Sequence, residues 1–594
     1  MYSILRYLLP SKTDMKTSKI FNIFSMATLA FIVIYFAVNI FLNPLFERMV
    51  YNRLDSYINN TPNRLYDITY RNFEISIHDR AVRLGRINIT PTKIATDSMM
   101  KNNLSMLISF EADSFYFDGL SIFKLLVLDN FKFEQIASRN PTVKIYLNPK
   151  AKVTPHKSSV ATNIFSNKFK SGHINKFKIE DGNLYIINLP LKDSIFFKLN
   201  SSFLTVDNIT IDPSEKNIID RVKFKFMHFS SGALYGNFID NYDVKADSIE
   251  LNSKSRLLQI NNFVIKPKNL SSTNNGVQFA RDVISIKTDK IIFKGIDIQP
   301  NEVIQGLNSD KVSFTGLDFA LSTDKRIPKN MNRKPLIGEI ISKVDIPFNI
   351  NELKINNSKI QYTEIVDTDT KPLEVFFTDV NLTTTKITND RNLQKDNPLL
   401  KINCTAKFLD AGSLDFNVDI PVTSKEDKMI VTGKLHQMTM QPVNRMLEEP
   451  LQVRFVSGQI NTIDINFVAD TKQAKGKLLF DYNDIKIQEF SDKKRKKNEI
   501  KERNKWFLNT IINGVVKKDN NKESEKFVTG IIDYERPGDI GIPGYLFRSV
   551  KSGLISTFKP GTRRKAIKEE NKEKKEEKKE IKKNKKNSES KKRK

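Results

Sequence analysis

The sequence predicts a mainly β protein: a transmembrane helix, then long antiparallel, curled sheets that form an elongated apolar groove, with few short helices. The first observation is that apolar and polar residues alternate with a period of two, as in "FEISI" (Phe73–Ile77) and "VKIYL" (Val143–Leu147). Successive side chains of a strand point to opposite faces, so this alternation is typical of strands with one buried face. The other two observations are a pattern that repeats after 176 residues and an uncharged segment near the N-terminus.

The uncharged segment covers residues 20–46 and is long enough to span a bilayer, which takes about 20 apolar residues. It has no small-residue cleavage site of the kind that ends a signal peptide, and a buried core helix is the remaining alternative. Four basic residues precede the segment and two follow it closely, so the positive-inside rule places residues 1–19 in the cytoplasm. We therefore predict a single-pass membrane protein with a connector at 47–65 and the bulk of the chain on the far side.

Charge and reactive residues exclude several classes of function. The net charge of the 594 residues is +28, but the tail 559–594 alone holds 18 basic and seven acidic residues, and another basic run lies at 493–505. Because the charge is concentrated in two segments, no nucleic-acid partner is predicted. The single cysteine, Cys404, excludes an internal disulfide, and the five histidines lack metal-ligand spacing. Without a phosphate-binding loop or a nucleophile motif, we predict no enzyme, no metal and no cofactor.

A repeat organises the chain beyond the anchor. "YDITYRNFEISI" at Tyr66 matches "YDVKADSIELNS" at Tyr242, and "INKFKIEDGNLYI" at Ile174 matches "INELKINNSKIQY" at Ile350. Two further windows match at the same offset of 176 residues. Four windows at one offset predict a duplicated β module, with copy one at 66–241 and copy two at 242–417.

The rest of the chain is predicted from composition and periodicity. A C-terminal β region is expected at 418–490, a basic insert with a helical and strand segment at 491–560, and a Lys/Glu-rich disordered tail at 561–594. Short helical candidates are Leu120–Asn130, Gln441–Leu447, Lys505–Val516 and Tyr545–Phe558.

The alternation slips by one residue at Gly85-Arg86, and again at Asn261-Asn262 in the second copy. Glycine and asparagine tolerate positive φ best, so we interpret the slip as a β-bulge, in which one extra residue bends the strand. A tight hairpin at the same place is the alternative. Four further positions are predicted as hairpin turns between antiparallel strands: Asp118-Gly119, Asp181-Gly182, Lys294-Gly295 and Asn357-Ser358.

A long bent sheet with one apolar face can form a sandwich, a barrel or a trough shielded by lipid, and the helices are too few to cover it. A trough open along its length would suit sliding acyl chains, which need only bulk apolar surface. The same side chains would otherwise form an ordinary sandwich core. The predicted lipid-groove lining consists of Phe73, Ile75, Leu84, Ile87, Phe115, Phe117, Phe131, Phe133, Phe177 and Ile179 in copy one, and of Ile260, Phe263, Ile291, Phe293, Leu353 and Ile355 in copy two.

These features together resemble the AsmA-like family, bacterial envelope proteins related to bridge-like lipid-transfer proteins. The residues that carry the resemblance are the anchor, "YDITYRNFEISIHDRAVRLGRINITP" after it, and "SGQINTIDINFVADTKQAKGKLLFDYNDIKI" at Ser457–Ile487. The resemblance covers most of residues 15–490. It implies a bacterial inner-membrane anchor, a periplasmic β-groove, and a role in phospholipid movement toward the outer membrane and in envelope integrity. The basic insert and the tail depart from the family, and the chain is short for a bridge across the whole periplasm.

Two hypotheses therefore lead. In the first, the protein holds or conducts phospholipid acyl chains and so supports outer-membrane lipid supply. In the second, it is a scaffold for outer-membrane protein or envelope assembly and conducts no lipid. Expected partners are phospholipids, the inner membrane, and outer-membrane or periplasmic proteins. A hydrolase or a transferase is a weak third reading.

Overall fold

The structure is a computed structural model that describes most of the chain. The described ranges are 64–76, 80–119, 130–148, 150–151, 171–188, 194–212, 222–239, 242–268, 282–297, 306–328, 331–365, 371–424, 426–451, 453–489 and 517–558. The predicted segments 1–19, 20–46 and 561–594 lie outside these ranges, as do most of the connector 47–65, the helical candidate Lys505–Val516 and all but Asn130 of Leu120–Asn130. None of the helices within the described ranges has the length and apolar character that crossing a bilayer requires.

All strands of the described ranges belong to one large sheet. The first half contains β1 (Tyr66–Tyr70), β2 (Phe73–Ser76), β3 (Ala81–Leu84), β4 (Ile87–Pro91), β5 (Met106–Ala112), β6 (Ser114–Asp118), β7 (Asn130–Arg139), β8 (Thr142–Leu147), β9 (Ser171–Asn188), β10 (Ser194–Ile211), β11 (Val222–Lys223), β12 (Phe226–Ser231), β13 (Leu234–Ile239), β14 (Tyr242–Ala246) and β15 (Ser248–Asn252). The second half contains β16 (Leu257–Pro267), β17 (Asp282–Lys294), β18 (Leu307–Thr315), β19 (Asp318–Asp324), β20 (Phe348–Ile365), β21 (Leu373–Thr388), β22 (Leu399–Phe408), β23 (Gly412–Pro421), β24 (Met429–Leu435), β25 (Met438–Thr439), β26 (Val453–Ala469), β27 (Gln473–Glu489) and β28 (Thr529–Glu535).

The helices in the described ranges are short apart from the last one. They are α1 (Lys93–Met100), α2 (Ile337–Ser342), α3 (Arg391–Asp396), α4 (Asn444–Leu451) and α5 (Ile542–Phe558). The candidates Gln441–Leu447 and Tyr545–Phe558 correspond to α4 with its preceding 3-10 turn and to α5. Helices of this number cannot cover a sheet of this size, and the prediction of a mainly β protein with few helices is confirmed.

The sheet is mixed, so the prediction of a purely antiparallel sheet is wrong. Strand β9 runs parallel to β7 and β8, and β20 runs parallel to β18 and β19. In each place a crossover connects the end of one strand to the start of the next: residues 148–170 connect β8 to β9, and residues 325–347 connect β19 to β20. A strand that follows such a crossover starts at the same end as its neighbour and is therefore parallel to it.

A line of bends, here called the crease, runs across the strands. At its first position, the gap between β1 and β2 faces the gap between β3 and β4, and Gly85 N donates to Asn72 O at 3.1 Å. Strand β3 pairs with β2, and β4 pairs with β1, so the tight-hairpin alternative is wrong. The pairs Tyr70–Ile87 and Phe73–Leu84 flank the gap, so two residues lie between the paired positions on each side of it. The predicted bulge with one extra residue is therefore also wrong at this place.

Positive φ occurs at the crease, at Asn262 of the predicted pair in the second copy but not at Gly85 in the first. Asn72 on the neighbouring strand has φ 51°, and in the second copy it is Asn262, with φ 49°, and not Asn261. Gly85 has no positive φ; a Cβ added there would lie 2.7 Å from the carbonyl oxygen of Arg71. Glycine is required at this position by the close approach of a backbone.

Two of the predicted hairpin turns are also crease positions. Asp181, with φ 55°, lies inside β9, and Asn357, with φ 47°, lies inside β20. These strands bend there and continue, so the turn prediction is wrong. Gly119 and Gly295, with φ 71° and 67°, directly follow β6 and β17. They begin connections to antiparallel neighbours that are longer than a two-residue turn.

Strand positions in the two halves correspond at an offset of 176 residues. Strand β1 begins at Tyr66 and β14 at Tyr242, while β4 ends at Pro91 and β16 at Pro267. A hydrogen bond from a tyrosine hydroxyl to the backbone of another strand is also repeated at this offset. The hydroxyl of Tyr66 bonds to the backbone of Ile108, and the hydroxyl of Tyr242 accepts from Ile284 N at 3.1 Å.

The second half of the sheet curves back on itself. Nine inter-strand steps separate β17 from β28, a distance of roughly 43 Å in a flat sheet at about 4.8 Å per step. One residue of the second crossover nevertheless reaches both strands. The Lys334 ammonium contacts the carboxylate of Asp282, the first residue of β17, while Lys334 O accepts from Arg536, just after β28, at 2.7 Å.

Helix α5 lies on the concave side of this curve. A Cβ added to Gly553 would lie 2.9 Å from Leu478 Cβ and 2.8 Å from Ile532 Cγ1. The helix also holds the last strand: Asp533 N donates to Ser552 Oγ at 3.2 Å, and Ile531 N donates to Ser556 Oγ. The two largest hydrophobic cores are one that fills copy one and extends to Ile249, Leu251 and Ile296, and one beneath α2 and α5.

Candidate functional site

Cross-strand pairing aligns apolar side chains on the concave face. Directly paired residues point to the same face of a sheet, and successive pairings link seven strands. The file they form is Ile260, Ile291, Phe314, Ile355, Leu382, Cys404 and Phe416. The concave face therefore carries a continuous apolar path from copy one toward the C-terminal core.

The middle of this path is open. Phe314, Ile355, Leu382 and Cys404 are half-buried, and none of them belongs to a hydrophobic core cluster. We call these four residues the open file. A half-exposed apolar row between two filled cores is the kind of surface that marks binding.

The same positions of the sheet in copy one are filled. The residues that occupy them are Ser138, Ile179, Leu204 and Phe229, linked by the corresponding pairings. All four are buried, and the three apolar ones belong to the first core. The two copies therefore share the same pairing of strands, but they differ in whether their concave face is covered.

The predicted copy-one lining is buried wherever its side chains are described. Leu84, Ile87, Phe115, Phe117, Phe133, Phe177 and Ile179 all belong to the first core. Their rings pack on one another: the centroids of Phe115 and Phe117 are 5.0 Å apart, and those of Phe117 and Phe133 are 5.5 Å apart. The side chains of Phe73, Ile75 and Phe131 lie outside the description.

The predicted copy-two lining is more accessible. Ile260, Phe263, Phe293, Leu353 and Ile355 are half-buried, and Ile291 is buried. Sequence reasoning missed the other members of the open file, namely Phe314, Leu382 and Cys404. Their alternation in "KVSF", "VNLTTT" and "INCTA" is a usable signal, but the windows of the repeat did not include them.

The thiol of Cys404 adds to the apolar surface of the open file. Burial raises the pKa of its thiol to about 11, so the side chain is a neutral thiol near pH 7. A partly desolvated thiol of this kind packs as a small hydrophobe and is a poor nucleophile. The residue therefore contributes apolar surface to the open file.

The concave face ends in polar residues at one rim of copy two. Asp282, Thr323 and Glu364 are direct cross-strand neighbours, and we call them the polar file. Thr323 Oγ1 donates to Asp282 Oδ1 at 2.7 Å. Between the open file and this rim lie Ile360 and Tyr362, both half-buried on β20.

The polar file is connected to further groups. Tyr362 Oη donates to Glu364 Oε2 at 2.9 Å, and burial raises the pKa of this phenol. Lys325 Nζ lies 3.8 Å from Glu364 Oε2, and Lys334 contacts Asp282. Glu364 also interacts electrostatically with the ammonium group of Lys551 on α5. The rim therefore combines two carboxylates with three ammonium groups.

The opposite face of the sheet is polar. Lys311 Nζ and Lys354 Nζ lie 2.8 Å and 2.9 Å from the two carboxylate oxygens of Glu352. These hydrogen bonds lower the pKa of Glu352. An apolar concave face and an ion-paired outer face are what a one-sided sheet requires.

No family model matches the chain, and no curated protein sequence matches it. Within the described ranges, no group of His, Cys, Asp and Glu side chains is arranged to hold a metal ion.

Proposed function

We propose that this chain is a membrane-anchored lipid-holding protein whose concave face in copy two takes phospholipid acyl chains. The open file is the single observation that supports this proposal most strongly. Apolar surface gains about 25 cal/mol per Å² when it leaves water, and the half-buried row of Phe314, Ile355, Leu382 and Cys404 retains part of that gain for a ligand.

The dimensions agree with a lipid. Glu364 lies nine positions after Ile355 on β20. The distance between these positions is about 30 Å in a straight strand and is shorter here because the crease lies between them. A phospholipid is roughly half of the 40–45 Å thickness of a whole bilayer, or about 20 Å long. One molecule therefore fits between the open file and the polar rim.

We further propose the topology that the sequence predicts: an inner-membrane helix at 20–46, a cytoplasmic N-terminus, and a periplasmic sheet made of two copies of one module. In this proposal the AsmA-like resemblance implies a role in outer-membrane lipid supply and envelope integrity. The 176-residue offset of strand bounds and of the Tyr66 and Tyr242 hydrogen bonds supports the duplication.

The filled core of copy one favours holding over conduction along the whole sheet. An acyl chain could pass this section only if rings such as those of Phe117 and Phe177, which are both almost completely buried, moved apart. In our proposal, lipid occupies copy two, and copy one acts as a rigid β support.

A photocrosslinking experiment tests this function. A benzophenone side chain is placed at Phe314, which faces the groove, or at Ser313, which is the next residue and faces the other way. Full-length protein is irradiated in membranes, and the adducts are identified by mass spectrometry. We expect phospholipid adducts at position 314 and few at 313. Equal yields at both positions, or none at either, would contradict the proposal.

A probe at Phe177 separates holding from conduction. Lipid adducts there would mean that the copy-one core opens and that lipid travels through it. We expect none.

The scaffold hypothesis is the second candidate, and the filled core of copy one favours it. A scaffold needs a rigid rod and no open apolar file. Absence of lipid at position 314, together with protein adducts at outer-face positions such as Ser313, would support the scaffold.

A further inference from the structure

We propose that the polar file of Asp282, Thr323 and Glu364 is a headgroup site, and that its ligand is a zwitterionic phospholipid that carries a primary ammonium group and a phosphate. This inference rests on the proposed function, since it concerns the other end of the same lipid. It adds a selectivity that an apolar groove alone cannot provide.

The first observation is the gradient of polarity along the concave face. On β20 the inward residues run from Leu353 and Ile355, past the buried Ser358 at the crease, to Ile360, Tyr362 and Glu364. Strands β19 and β17 follow the same order, because Ile360 pairs with Phe319 and Glu364 pairs with Thr323, which in turn pairs with Asp282. A surface that is apolar at one end and charged at the other matches an amphiphile lying along the strands.

The second observation is the mixture of charges at the rim. Two carboxylates, Asp282 and Glu364, face the ammonium groups of Lys334 and Lys325, and Glu364 also attracts that of Lys551 on α5. The neighbouring Asp324 is already engaged by the guanidinium of Arg326, at 2.7 Å and 2.9 Å. A zwitterion can enter such a network without leaving a charge unpaired: its ammonium group takes the place of a lysine at a carboxylate, and its phosphate takes the released lysine.

The looser of the two pairs identifies the point of entry. Lys325 Nζ is 3.8 Å from Glu364 Oε2, which is longer than a normal hydrogen bond. The carboxylate of Glu364 is 27% exposed, so a ligand can reach it. Tyr362 donates its hydroxyl to the same oxygen and fixes its position. We therefore place the ammonium group of the ligand at Glu364 and its phosphate at Lys325.

The third observation is the contrast between the copies. The positions in copy one that match Asp282, Thr323 and Glu364 are Met106, Leu147 and Asn188, and these three are also cross-strand neighbours. Copy one therefore lacks both carboxylates, and its concave face is filled. Acidic residues occur at this rim in the copy whose face is open.

A lipid-exchange experiment tests the site. Purified full-length protein is incubated with vesicles of equal parts phosphatidylethanolamine and phosphatidylglycerol, and the bound lipid is quantified by mass spectrometry. We expect bound phosphatidylethanolamine to exceed phosphatidylglycerol by about tenfold. Glu364→Gln should reduce this ratio toward one.

Matched controls carry the same change on the outer face. Glu374 on β21 and Asp318 on β19 are exposed and alternate with the inward residues of their strands. We expect Glu374→Gln and Asp318→Asn to retain the wild-type ratio. Thermal melts of all variants identify any that fail to fold.

A second measurement needs no variant. Vesicles are prepared with N-acetylated phosphatidylethanolamine, which lacks the ammonium group, and are offered to the wild-type protein. We expect binding about tenfold weaker than with the parent lipid. Equal binding of the two lipids, or an unchanged ratio in Glu364→Gln, would overturn the headgroup site and leave the lipid-holding function standing. Absence of any bound lipid in the wild type would overturn the function itself.

Discussion

Gly85 illustrates, at the scale of single residues, how the crease depends on backbones that approach closely. A Cβ at this position would lie 2.7 Å from Arg71 O and 2.9 Å from Asn72 Cβ. Backbone cannot move aside as a flexible side chain can, so we expect Gly85→Ala to lower the free energy of unfolding by about 1–3 kcal/mol. Denaturant titration measures the change.

Gly232 provides the control for that substitution. It also lies at the crease, but a Cβ there would be 3.4 Å from its nearest neighbour, Asn200 O, which is ordinary contact. We expect Gly232→Ala to change stability by less than about 1 kcal/mol. A loss as large as that of Gly85→Ala would show that the close approach is not the cause.

Cys404 permits a prediction on reactivity. Burial raises the pKa of its thiol from the ordinary 9.0 to about 11, so at pH 8 the reactive thiolate is about 100-fold rarer than for an ordinary cysteine. Alkylation by iodoacetamide should be correspondingly slow and should accelerate about tenfold per pH unit up to about pH 11. Mass spectrometry follows the rate. The unfolded chain is the control, and a native rate equal to its rate would contradict the buried position.

At the scale of elements, the second crossover and its helix α2 are held by charge. The guanidinium of Arg333 donates two hydrogen bonds to the carboxylate of Glu339, at 2.9 Å and 2.7 Å. Together with Lys343, this contact lowers the pKa of Glu339 to about 2. All three residues belong to the second crossover, so these contacts stabilise its conformation.

This pKa shift predicts a window of acid sensitivity. The folded-state pKa lies below the ordinary value of 4.5, so the stabilisation is complete above about pH 4.5 and is lost as the pH falls to about 2. Because the partner side chains are half-exposed to solvent, we expect Glu339→Gln to lower the free energy of unfolding by only about 1–2 kcal/mol near pH 7 and to flatten this part of the pH–stability curve. Glu374→Gln, an exposed carboxylate of the outer face, is the control. An unchanged acid limb in Glu339→Gln would contradict the assignment.

At the scale of the whole molecule, Lys334 determines whether the second half stays curved. Its side chain contacts Asp282 at the start of β17, while its backbone is bonded to Arg536 and Gly538 beyond β28. The backbone bonds remain in Lys334→Met, but the link to β17 is lost. We expect amide exchange at the start of β17 and in 536–541 to accelerate by about tenfold, which corresponds to about 1.4 kcal/mol of local stability.

Lys354→Met removes a lysine from an ion pair on the outer face and is the matched control. Exchange in 536–541 should not change in this variant. If both variants behave alike, the curvature does not depend on the Lys334 contact.

The sequence predicted the strands and the positions of the bends, because both are local, although the bends were interpreted wrongly as a bulge and as hairpin turns. Alternation marks β9 and β20, and the slip at Gly85 marks the crease. Burial could not be predicted in the same way. Phe177 and Ile355 lie in matching windows with the same alternation, yet Phe177 is fully buried and Ile355 is half-exposed. The difference comes from what packs on the concave side, which depends on contacts distant in sequence.

The parallel pairings were missed for a related reason. Nothing in "INKFKIEDGNLYI" indicates that β9 enters from the same end as β8, since direction depends on the path of a crossover with no strand pattern of its own. The polar file was missed because Asp282, Thr323 and Glu364 are far apart in sequence. The sheet makes them neighbours.

The serines of α5 have a consequence for growth of the sheet. The outermost strand of a sheet offers free amide and carbonyl groups, on which another extended segment can add. On β28, the amides of Ile531 and Asp533 already donate to Ser556 and Ser552. Another extended segment must first displace the helix before it can pair with β28, so polymerisation of the protein into end-to-end fibres is blocked at this side.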